Sequence, residues 1–92
     1  MRFEFKPSFG RSLKGFTPPQ QERIKGTADK LILFYTKGEK TPGLGITHLR
    51  REFWEGRSGL KERVLYRWQK DLVEFVLAGD HNDVKRFLRH NV

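Results

Sequence analysis

Apolar and charged residues alternate from Arg2 to Lys6, with Phe3 and Phe5 on one side, which is the period of a strand. Pro7-Ser8 ends that period, and Phe9, Leu13 and Phe16 then recur at helical spacing. They predict a short amphipathic helix with Ser8 as its N-cap and Gly15 near its end. Thr17-Pro18-Pro19-Gln20 predicts the start of a second helix, because Thr caps, proline is tolerated in a first turn and Gln20 completes a capping box. Ile24, Ala28, Leu31, Ile32 and Tyr35 continue its apolar stripe until Lys37-Gly38, a cationic last turn followed by a stop.

Helical periodicity then disappears. Gly38 to Gly45, with Thr41-Pro42-Gly43 inside it, reads as a loop. Strands are predicted at residues 46–50, 53–57, 62–68 and 72–79, with turns at Ser58-Gly59-Leu60 and Gln69-Lys70. Turns this short imply an antiparallel meander. The run Leu72 to Ala78 is apolar on nearly both faces, as a central strand covered by helices requires, and the two early helices are expected to supply that cover. After an exposed turn at Asp80-His81-Asn82, the spacing of Val84, Phe87 and Leu88 predicts a short terminal helix. The expected fold class is α+β: a βαα unit, a four-stranded antiparallel meander and a short C-terminal helix. No repeat, low-complexity tract or linker divides the chain, so residues 1–92 read as one domain.

Composition adds the partner. Nineteen Lys and Arg against eleven Asp and Glu leave a net charge of +8, which calls for a polyanion: RNA, or an acidic protein covering the same face. The absence of cysteine removes disulfides, zinc knuckles and thiol nucleophiles and suits a reducing cytoplasm. The first residues lack the apolar stretch of an export signal, and Leu72 to Ala78 falls far short of the roughly 20 residues that span a bilayer. A cytoplasmic protein without membrane contact, metal or cofactor is expected.

Candidate chemistry gathers in the second half. The hairpin around Ser58-Gly59-Leu60 sets Arg57 opposite Arg63, with Lys61 in the turn, and like charges in that arrangement repel unless an anion compensates. A phosphate does so, and so do Glu55 and Glu62. His48 and His81 are the candidate proton carriers. Metal-free RNA cleavage needs one group to take the 2′-hydroxyl proton and another to protonate the leaving oxygen, while arginine stabilises the phosphorane. His81, at the end of a rigid strand in Gly79-Asp80-His81-Asn82-Asp83, is the better placed, and His90 is expected to be inert. Arg50, Arg51, Lys61 and Lys85 are the expected RNA contacts. Trp54, Tyr66 and Trp68 are read as core or rim packing rather than base-stacking platforms.

The ordered set His48-Leu49-Arg50-Arg51-Glu52-Phe53-Trp54-Glu55-Gly56-Arg57, Arg63-Val64-Leu65-Tyr66-Arg67 and Ala78-Gly79-Asp80-His81-Asn82-Asp83-Val84 resembles the RelE/ParE superfamily of toxins. The opening segment from Phe5 to Phe16 fits it too. The resemblance covers essentially the whole chain and is strongest to RelE-like and YafQ-like members. It implies the toxin of a type II toxin–antitoxin pair, a ribosome-dependent endoribonuclease acting on mRNA and neutralised by a cognate antitoxin. By the same resemblance Arg63 and Arg57 fall at functional basic positions, and His48 and His81 match histidines of YafQ-like enzymes. This sequence departs from the pattern in three places. Lys61 and Arg63 stand where YafQ-like toxins have a second histidine and an aspartate, Glu55 stands where RelE has a lysine, and Phe87 is the nearest aromatic to RelE's C-terminal tyrosine. The superfamily also contains ParE-like inhibitors of DNA gyrase, which need no histidine. A plain RNA-binding module is a third reading.

Overall fold

The capping box forms as its residues require. In the computed structural model, which describes residues 1–91, the Gln20 N–H donates to Thr17 Oγ1 and the Gln20 side chain accepts from the Thr17 N–H. The elements are β1 (Arg2–Phe5), α1 (Pro7–Leu13), α2 (Pro18–Lys37), β2 (Thr47–Arg50), β3 (Phe53–Arg57), β4 (Arg63–Gln69), β5 (Leu72–Gly79) and α3 (His81–Asn91). The strands form one sheet in the order β1-β5-β4-β3-β2. β2 to β5 are the expected antiparallel meander, while β1 adds in parallel along the outer edge of β5, from Arg2 opposite Leu72 to Phe5 opposite Phe75. The fold is therefore α+β with a mixed five-stranded sheet.

β1 covers only the first half of β5. Beyond it α1 takes over the edge: Ser8 Oγ donates to the Val76 carbonyl at 2.5 Å, and Ser12 Oγ accepts from the Ala78 N–H at 2.9 Å. Ser8 is thus not the N-cap of α1. Lys6 holds that position without a side-chain bond, and Pro7 supplies a first turn that needs no donor. Phe16 lies past the end of α1, in turns closed by N–H bonds from Gly15 and Phe16.

The cover of β5 also differs from expectation. α1 and α2 pack Phe9, Leu13, Ile24, Ala28 and Leu31 on one face, against Val64, Tyr66, Val73 and Phe75. The other face is covered by α3, whose Val84 and Leu88 meet Phe53, Leu65 and Val76. An irregularity in β4–β5 pairing after Leu65 lets Val76 and Leu77 both contribute to the α3 side. On the α2 side Tyr35 and Tyr66 share a hydrogen bond of 2.7 Å between hydroxyls, and burial pushes both phenols above their ordinary value.

Boundaries move by a residue or two. β2 begins at Thr47, β4 begins at Arg63 and runs to Gln69, and the next turn is Lys70-Asp71 with Lys70 at φ 52°. No helix among the described residues is long and apolar enough to cross a membrane.

Candidate active site

Three strands end together. Arg57 pairs with Arg63 across β3 and β4, and Arg63 pairs with Gly79 across β4 and β5. Side-chain alternation places Glu55 of β3 and Arg63 of β4 on the sheet face that α3 crosses, while the Arg57 side chain, at the end of β3, lies along Gly45.

Arg63 does not extend freely into solvent. Its Nε lies 3.5 Å from Glu55 Oε2, and the two side chains are only 12% and 10% exposed. Its Nη1 donates to the Leu60 and Glu62 carbonyls at 3.3 Å each, which folds the guanidinium back over the β3–β4 turn. Glu55 Oε1 and Arg63 Nε are buried without hydrogen-bond partners. A buried pair with orphaned polar atoms contributes little net stability, so stability alone does not account for it. Glu62 pairs instead with Arg23 at 3.2 Å, and Arg57, exposed, has no carboxylate partner among the described residues. The repulsion anticipated across this hairpin is thus relieved at Arg63 and left open at Arg57.

His81 sits on a firmer support than a turn. It is the first residue of α3, and Asp80 before it is the cap. The Asp83 N–H donates to Asp80 Oδ1 at 2.8 Å, while the Asp80 N–H donates to Asp83 Oδ2 at 2.9 Å. The bond from the Asp83 backbone holds the Asp80 carboxyl below its ordinary value of 3.8, helped by the Asn82 N–H and the Arg86 charge. Gly79 makes this closure possible: a Cβ there would lie 2.6 Å from Asp83 Cβ and 2.8 Å from Asp83 Oδ2.

The remaining predicted residues are dispersed. His48 pairs with Trp54, their rings 4.6 Å apart, and its Nε2 is 2.7 Å from the Arg51 carbonyl. Trp54 belongs to the α2 face, so His48 lies on the opposite side of the sheet from Arg63. The two histidines are not brought together. Arg50 and Arg51 occupy the far end of β2–β3; Arg50 pairs with Phe53, about 13 Å from Arg57 at roughly 3.3 Å per residue. Lys61 is exposed in the turn beside Arg63, and Lys85 is exposed on α3. Trp54, Trp68 and Tyr66 pack as the aromatic core and rim expected of them. Phe87 rests against Phe53, centroids 6.2 Å apart. Among the described residues no three His, Asp or Glu groups gather as ligands for a metal ion.

Glu55 is the residue at this site that sequence reasoning assigned only a neutralising part. The period of β3, with Phe53 and Glu55 on one face, was its available signal.

No protein-family model and no curated protein matches the chain. Solved structures do. Escherichia coli YafQ, in its complex with DinJ, superposes with a TM-score of 0.71 at 14% identity, over 91% of this chain and 98% of that one. The chain has the RelE/ParE toxin fold. A copper-bound mutant toxin from Helicobacter pylori gives a TM-score of 0.65 at 19% identity, covering 91% of this chain and 98% of its own. The YoeB/ParE toxin from Agrobacterium tumefaciens gives 0.63 at 16% identity, covering 88% and 99%.

Proposed function

We propose that the chain is the toxin of a type II toxin–antitoxin pair and acts as a metal-independent, ribosome-dependent endoribonuclease on mRNA in the cytoplasm. One observation carries the chemistry: Arg57 and Arg63 pair at the end of the sheet where β5 leads into the capped His81, beside a buried carboxylate whose Oε1 has no hydrogen-bond partner. The 2′-hydroxyl attacks the adjacent phosphorus, breaks the bond to the 5′-oxygen, and leaves a 2′,3′-cyclic phosphate and a 5′-hydroxyl. Two proton carriers are needed. His81 is one, and Glu55, rather than the distant His48, is the other. Arg63, released from the turn carbonyls, and Arg57 stabilise the charge of the phosphorane. The YafQ structure is a toxin–antitoxin complex, which supports a cognate antitoxin as the partner of this chain as well.

The test is expression in growing cells. Parent protein is expected to arrest translation, and His81→Ala and Arg63→Ala to abolish the arrest. Arrest by both variants at the parent's level overturns the assignment. The withdrawn Arg63 favours a second reading, a non-catalytic inhibitor of DNA gyrase, whose signature is an SOS response without loss of mRNA.

A further inference from the structure

On the α2 side of the same sheet end, a cavity of about 310 Å³ opens between α2, the loop at Thr41-Pro42-Gly43 and the β3–β4 turn. Arg23, Lys30 and Arg57 line it, with no carboxylate among the lining residues. Lys30 and Arg57 have no ion-pair partner among the described residues, and the Arg23 guanidinium is shared with Glu62. Ser58, 6% exposed, also lines it, and its Oγ is buried without a hydrogen-bond partner. Ser58 follows Arg57 in the strand alternation, which turns its side chain toward the α2 face with Trp54 and Gly56. A buried hydroxyl left without a partner is costly, and three cations around one small cavity repel one another.

We infer that this cavity binds a phosphate group. Three cations and a hydroxyl donor suit a tetrahedral anion with several acceptor oxygens better than a planar carboxylate with two. Arg57 lines the cavity and also stands in the row with Arg63 and Gly79, so the cavity adjoins the candidate active site. Its occupant is a backbone phosphate of the bound RNA, flanking the one that is cleaved. That assignment rests on the ribonuclease reading, whereas phosphate binding stands on the cavity alone.

The experiment follows backbone amides of the full chain by NMR. One arm titrates inorganic phosphate, and the other a short single-stranded RNA with 2′-O-methyl riboses that cannot be cleaved. Both are expected to move the amides of Gly43, Ser58 and Gly59. Ser58→Ala should weaken phosphate about tenfold without lowering the melting temperature, because it removes a polar atom that has no partner. Lys30→Gln should flatten the salt dependence of RNA binding by about 0.7 in log–log slope, the loss of one single-strand phosphate contact. Shifts with phosphate alone assign the site to a free phosphate ion and remove the RNA assignment. Shifts with neither probe, or only with a glutamate-rich peptide, overturn the inference. A chain that binds RNA here and cleaves none loses the ribonuclease reading and keeps the cavity. Cleavage with unaffected cavity variants does the reverse.

Discussion

Gly79→Ala tests whether the cap of α3 holds His81 in place. The added Cβ would stand 2.6 Å from Asp83 Cβ and 2.8 Å from Asp83 Oδ2, distances that only a displacement of Asp83 relieves. Moving Asp83 breaks both reciprocal bonds with Asp80, at 2.8 and 2.9 Å. Loss of a cap costs about 1 kcal/mol, and overpacking at a tight backbone approach costs about 1–3 kcal/mol. The two are one event here, so the expected loss is about 2 kcal/mol, or a fall of about 8–16 °C in melting temperature for a domain of this size. Asp83→Gly removes both clashing atoms, Cβ and Oδ2, together with the bond that the Asp80 N–H makes to the Asp83 carboxylate. Gly79→Ala placed in that background should therefore cost at least 1 kcal/mol less than it does alone, measured by urea unfolding as a double-mutant cycle of about that coupling energy. Additive costs would refute the reasoning, since the alanine would then clash with something other than Asp83. Cleavage should fall with stability in the single variant, because the first residue of α3 moves with its cap.

Three further outcomes follow from the geometry. Glu55→Gln keeps the shape beside Arg63 but removes the proton acceptor, so single-turnover cleavage of RNA should drop by about 10²–10⁴; unchanged rates would take Glu55 out of the mechanism. Asp80, held below its ordinary value of 3.8, stabilises the first turn of α3 above that pH, and the contribution is lost as pH falls through its lowered value. Amide exchange at Asp83 should accelerate in that acid range, and exchange that stays flat contradicts the cap. Tyr66 is raised above its ordinary 10.0 chiefly by burial, then by its bond to Tyr35. Its stabilising effect is complete below pH 10 and is lost above it, so unfolding should set in on the alkaline side, together with phenolate absorbance, rather than after it.

Much of the fold was legible because the chain writes its periods plainly. Phe3 and Phe5, the capping box at Thr17 and the stripe from Ile24 to Tyr35 each settled an element from local spacing. What depended on distant contacts was not legible. Ser8 looks like a cap because serine before a helical stripe usually is one, yet its hydroxyl is taken by Val76, which lies 68 residues away. His81 read as a turn residue because Gly79, Asp80 and Asn82 are turn formers, and only the Asp80–Asp83 closure makes it the start of a helix. At the site, the pairing of Arg57 with Arg63 followed from the hairpin alone. His48 failed for a simple reason of parity: it stands opposite Trp54, one residue out of phase with Glu55, and a strand has only two faces.

The ribonuclease assignment is tested most directly by cleavage of messenger RNA on ribosomes programmed with a defined codon in the decoding site, mapped by primer extension and by the chemistry of the new 3′ end. Wild-type chain should cut within that codon and leave a cyclic or 3′ phosphate, with His81→Ala and Arg63→Ala each slower by about 10² or more. Intact message at protein concentrations that stop growth, together with inhibited supercoiling by DNA gyrase, would contradict it.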